Sequence, residues 1–133
     1  MTSPATQLLA DYFANKADEV SAVYLFGSHA TGKFRADSDV DVAVLLRTAP
    51  PKTFAGLHLG LAGELERLLS LPVDLVVLND APVDLVRRVL QGGTLVADID
   101  RQARIAFEVK ARNEYFDLLP YLEEYRHPKK VSA

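Results

Sequence analysis

Gly27-Ser28-His29-Ala30-Thr31-Gly32-Lys33-Phe34-Arg35-Ala36-Asp37-Ser38-Asp39-Val40-Asp41 joins two apolar runs, Ala22-Val23-Tyr24-Leu25-Phe26 before it and residues 40–46 after it. Asp39 and Asp41 stand two residues apart in what reads as a strand, so their side chains share one face. Two like charges on one face repel and are costly to desolvate. The simplest partner that relieves both is a divalent metal held by oxygen ligands. Gly27 ends the preceding strand and lets backbone approach a ligand closely. Ser28 offers a hydroxyl and a backbone N–H at an expected helix start, where anions are favoured. A phosphate cradle beside a carboxylate metal site is what nucleotide chemistry needs.

Working outward, Pro4 opens a first helix, with Ser3 as its cap and Leu8, Leu9, Tyr12 and Phe13 as its apolar stripe. The periodicity predicts strands over 20–26 and 39–46, then a helix over 53–69 that turns Leu57, Leu61, Leu65 and Leu68 inward. Pro72 precedes a third strand over 73–78, in which Asp74 is the only charged residue. Strands two and three follow closely in order and are expected to be neighbours, which would set Asp74 beside Asp39 and Asp41. A helix starting after Asn79-Asp80-Ala81-Pro82 should stop at Gly92-Gly93. Residues 94–97 read as a short edge strand, and a last helical segment over 99–126 is expected to be interrupted at Pro120. Alternating helices and short strands predict one α/β (α+β) domain over 1–133, with one small mixed sheet flanked by helices.

Several features carry weaker signals. His29, His58 and His127 lack metal-like spacing and read as surface or loop histidines. Gly56, Gly60 and Gly63 in the 53–69 helix suggest close helix packing. Phe107, Tyr115, Phe116, Leu118, Leu119, Tyr121, Leu122 and Tyr125 divide between core and a partner surface. Arg101, Arg104, Lys110 and Arg112 alternate with Glu108 and Glu114, the pattern of a solvated face with helix ion pairs. Asp37 and Ser38 suit Asx-type bonds within their loop.

Composition bounds the rest. The chain has 133 residues, 49% hydrophobic and 25% charged, an ordinary globular balance. The absence of cysteine excludes disulfides and thiolate metal sites. A net charge of -3 argues against direct nucleic-acid binding, which favours a basic face. No apolar run approaches the ~20 residues of a membrane span, and Met1-Thr2-Ser3-Pro4 lacks a basic leader region. The expectation is a cytoplasmic protein.

The Gly27-Ser28 pair followed by Asp39-Val40-Asp41 resembles the Gly-Ser…Asp-x-Asp motif of the polymerase-beta-type nucleotidyltransferase superfamily. More narrowly, the chain resembles the minimal nucleotidyltransferase (MNT) antitoxins paired with HEPN-domain toxins. The resemblance implies a polymerase-beta-like fold and transfer of AMP from ATP. It implies that Asp39 and Asp41 ligate two Mg²⁺ ions, with Mn²⁺ as a substitute. Asp74 would help bind the catalytic metal and assist deprotonation of the nucleophile. Gly27 and Ser28 would hold the triphosphate. Lys33 and Arg35 either reach phosphate oxygens or lie on a solvated loop. Where the family often carries arginine, this chain has Thr31, and Arg35 is a candidate to replace that charge. The acceptor implied is a tyrosine of a cognate HEPN ribonuclease toxin, which modification would silence. Two other readings stay open: neutralisation by contact alone, and transfer to a small molecule such as an antibiotic.

Overall fold

In the computed structural model the described residues are 4–27, 30, 39–48 and 55–126, with side chains given for 5–27, 30, 39–48 and 60–121. Helix α1 spans Pro4–Ala14 and is followed by strands β1 (Val20–Phe26) and β2 (Val40–Leu46). Helix α2 (Ala55–Leu69) leads to strand β3 (Val73–Val77), a 3₁₀ turn (Leu78–Asp80) and helix α3 (Val83–Gly92). Strand β4 (Thr94–Asp98) and helix α4 (Arg101–Arg126) complete the order. The sheet runs β3-β2-β1-β4, with β1 antiparallel to both neighbours and β2 parallel to β3. The mixed α/β architecture read from the sequence is the one observed.

Both faces of the sheet are covered, which explains why β1 and β2 read as nearly continuous apolar runs. One face carries Val23, Leu25, Val40, Val42, Val44 and Leu75 against Leu9 and Phe13 of α1 and Leu65 of α2. The other carries Ala22, Tyr24, Phe26, Ala43 and Leu45 against Val86 and Val89 of α3 and Phe107 and Ala111 of α4. The strand alternation thus separates two cores within seven-residue strands.

Three expectations are corrected. Helix α4 runs through Pro120 without interruption; proline removes a single N–H from the ladder, and an exposed turn tolerates that loss. Gly60 and Gly63 of α2 do not mark close packing. A Cβ at Gly60 would meet nothing within 4 Å, and one at Gly63 only the Arg67 guanidinium at 3.7 Å. Gly56 has no described side-chain environment. The alternating charges of α4 are also only partly a solvated face. Lys110 and Glu114 pair at 3.9 Å on the surface. Arg104 instead binds Asp98 of β4 at 2.8 Å and Glu108 at 3.1 Å, and Glu108 accepts a 2.6 Å hydrogen bond from the Tyr24 hydroxyl.

Candidate active site

Asp41 and Asp74 are registered partners in the parallel β2–β3 ladder. Partners in such a ladder point to the same face, about 4.8 Å apart along the hydrogen-bonding direction. That face is the one bearing Ala43, Leu45 and Val76, covered further along by α3 and α4. Asp39 immediately precedes β2 and is exposed. The start of β2 is pinned beside β3 by the Val40 N–H, which donates to the Pro72 carbonyl at 2.9 Å. Asp41 is half-buried and Asp74 exposed, so the row opens to solvent at the edge of the apolar face.

On its other side Asp41 is the strand partner of Phe26, the last residue of β1. Gly27 follows with φ +71°, a left-handed conformation that glycine adopts without steric cost. A Cβ at Gly27 would collide with the Asp41 carboxylate. The glycine is therefore required twice, for the turn out of β1 and for the space the carboxylate occupies. Helix α3 closes the same end. The Gly93 N–H donates to the Val89 carbonyl at 2.8 Å. A Cβ there would strike that carbonyl and press on the Leu25 carbonyl at 3.2 Å and on Phe26 at 3.4 Å.

The fold thus brings Gly27, Asp39, Asp41 and Asp74 to one end of the sheet. Ser28, Lys33 and Arg35, with Thr31, Asp37, Ser38, His29 and His127, lie outside the described residues, as does the His58 side chain. Among the described residues no group of three or more His, Cys, Asp and Glu side chains is gathered closely enough to hold a metal. The strands contribute the register that sets Asp41 and Asp74 on one face, with Asp39 immediately before β2, and carboxylate oxygens are the donors that suit a hard divalent cation.

Sequence reasoning divided Tyr115 and Phe116 between core and a partner surface and put Arg112 on a solvated face, but did not join them to α3. Arg87, Gln91, Arg112, Tyr115 and Phe116 line a groove between α3 and α4. Its residues are split between two helices with no motif, and only their packing reveals it.

Residues 7–102 match the polymerase beta nucleotidyltransferase family, and the chain belongs to that family. Its fold is similar to solved structures of toxin–antitoxin complexes. One, a toxin–antitoxin with AMP-PNP, is 26% identical with a TM-score of 0.76, over 96% of this chain and 98% of that one. A second is a tri-AMPylated HEPN toxin of Shewanella oneidensis in complex with its MNT antitoxin. It is 26% identical with a TM-score of 0.68, over 96% of this chain and 99% of that one. A third is an MntA–toxin complex in which two aspartates two positions apart are replaced by glutamate. It is 25% identical with a TM-score of 0.73, over 96% and 98% of the two chains. No curated protein sequence matches the chain.

Proposed function

We propose that this chain is an antitoxin that transfers AMP from ATP to a tyrosine of a cognate HEPN-type toxin and thereby neutralises it. The observation that carries the reading is the Asp41–Asp74 register beside Gly27, in a chain of the nucleotidyltransferase family. The similarity to complexes holding an ATP analogue and an AMPylated HEPN toxin supports the donor and the acceptor. In the reaction the acceptor hydroxyl oxygen bonds to the α-phosphorus of ATP. The bond from that phosphorus to the bridging β-oxygen breaks, pyrophosphate leaves, and the hydroxyl proton passes to Asp74. Asp39, Asp41 and Asp74 are the residues that would hold divalent metal, Mg²⁺ or Mn²⁺. Bound there, it would offset the charge of the phosphates and of the leaving oxygen. Gly27 and Ser28 border the triphosphate, and Lys33 and Arg35 supply cationic contacts to its oxygens.

The test mixes the chain with ATP, Mg²⁺ and the toxin encoded beside it, followed by intact-protein mass spectrometry. The expected result is AMP added to toxin tyrosine, abolished by Asp39→Ala with Asp41→Ala, while that variant stays folded. An unmodified toxin, silenced equally well by the double variant, would mean inhibition by contact alone. Labelled AMP appearing on a small molecule instead would move the chain to the antibiotic-modifying class.

A further inference from the structure

We propose that the outward face of α4 is the surface on which the toxin docks, an apolar stripe bordered by guanidinium groups that takes an apolar ridge of the toxin flanked by carboxylates. This rests on the antitoxin reading above and names the surface that brings the acceptor to the chain. The inner face of α4 is already satisfied. Phe107 and Ala111 pack on the sheet, Tyr115 is buried, and the Arg87 guanidinium of α3 lies over the Tyr115 ring, 4.1 Å from its centroid. The opposite face carries Ile105, Val109 and Phe116, which are 41%, 46% and 58% exposed. Their spacing, i, i+4 and i+11, sets them in one stripe, the pattern by which a helix meets a second apolar surface. Exposed apolar residues are ordinary when scattered singly, and a row of them marks a contact surface. Arg101 and Arg112, with the same spacing as Ile105 and Phe116, run along one edge of the stripe. Among the described residues neither has an ion-pair partner. Glu108, on the same flank, is engaged by the Tyr24 hydroxyl at 2.6 Å and by Arg104 at 3.1 Å. In a chain of net charge -3 the border of the stripe is therefore locally cationic, which favours carboxylates on the partner.

The occupant is indicated by where the likenesses to other proteins end. The match to the polymerase beta nucleotidyltransferase family stops at residue 102, where α4 begins. The similarity to the toxin–antitoxin with AMP-PNP extends over 96% of the chain, which leaves out too few residues to omit the 26 of α4. Helix α4 is thus additional to the transferase domain and shared with a chain of a toxin–antitoxin complex. It packs on the sheet face that carries Asp41 and Asp74. A toxin held on α4 lies on the same side of the sheet as those carboxylates, and such docking replaces a free search for the acceptor hydroxyl by a confined one.

The test measures binding of the purified toxin encoded beside this chain, by calorimetry, for the wild type, for Val109→Ala with Phe116→Ala, and for Arg112→Glu. All three positions are exposed, and circular dichroism checks the fold. Affinity for the toxin should fall by about tenfold or more in each variant, as for loss of a central anchor. The deficit of Arg112→Glu should shrink at high salt, and binding of Mg²⁺ with ATP to the chain alone should not change in either variant. Hydrogen exchange on the wild-type complex should show slower exchange over residues 105–118 than in the free chain. Variants that bind the toxin as tightly as the wild type, or a complex that leaves exchange in α4 unaltered, would each overturn the proposal. So would a second copy on the stripe, seen as a wild-type dimer that the variants dissolve. A wild type that does not bind the toxin would overturn the antitoxin reading together with the docking surface. One that binds through α4 yet adds no AMP would support the docking surface and overturn the adenylyl transfer.

Discussion

Gly27 and Asp74 make the sharpest claims at the scale of single residues. Gly27 combines a left-handed backbone with a carboxylate lying where a Cβ would be. Alanine there meets both penalties, and strained backbone of this kind costs of order 1–3 kcal/mol. Gly27→Ala should lower the unfolding free energy by about that amount in urea titration. It should also weaken Mg²⁺ binding measured by calorimetry, because Asp41 must move. Asp74 faces solvent and fills no core, so Asp74→Asn should leave stability within about 0.5 kcal/mol. As the proposed proton acceptor, its loss should slow AMP transfer by about 10²- to 10⁴-fold with little change in ATP affinity. Single-turnover kinetics with a separate nucleotide-binding measurement distinguishes that outcome from a binding defect.

At the scale of elements, sequence pattern and tertiary use part company in α2. Three glycines spaced for close packing sit in a helix where a methyl at Gly60 has open space around it. Gly60→Ala should therefore stabilise the protein by about 0.5–1 kcal/mol, the ordinary glycine penalty inside a helix, read as a rise in thermal midpoint. The end of β2 shows the opposite case, a polar side chain with a structural duty. Asn79 accepts from the Leu46 N–H at 2.9 Å and donates to the Leu46 carbonyl at 3.0 Å, continuing the ladder where β3 has ended. Asn79→Ala leaves both backbone groups without these bonds in a partly buried setting and should cost about 1–3 kcal/mol in the same assay.

Across the whole molecule, Asp98, Arg104, Glu108 and Tyr24 tie β4, α4 and β1 together over the face that also carries the aspartates. Burial first, and the bond to Glu108 second, push the Tyr24 phenol well above its ordinary value of 10.0. The folded state thus favours the neutral phenol. Its stabilisation is complete below about pH 10 and lost as pH rises further, since the unfolded chain then ionises more readily. Tyr12, raised by burial and by its bond to Glu64, acts in the same direction. The thermal midpoint should fall as pH rises above about 10, and Tyr24→Phe should flatten part of that fall. Beyond this anchor, α4 exposes Ile105, Val109, Leu118 and Tyr121, apolar surface available to a partner. No helix among the described residues is long and apolar enough to cross a membrane.

The division between sequence and tertiary structure follows from the range of the forces involved. The apolar runs, the breaks at Pro72 and Gly92-Gly93, and the Gly27…Asp39-Val40-Asp41 spacing are local. They determined the elements to within a residue or two and placed Asp39 and Asp41 at the start of the second strand. The neighbouring of β2 and β3 was legible from their closeness in order; the exact Asp41–Asp74 pairing was not, because a one-residue slip would turn Asp74 to the opposite face. Burial of Leu75 together with the Val40–Pro72 bond selects the register. The α3–α4 groove, the Gly27–Asp41 contact and the Tyr24–Glu108 bond join residues far apart in the chain. No local pattern encodes such meetings, and only the packing of two helices on one face of the sheet brings them about.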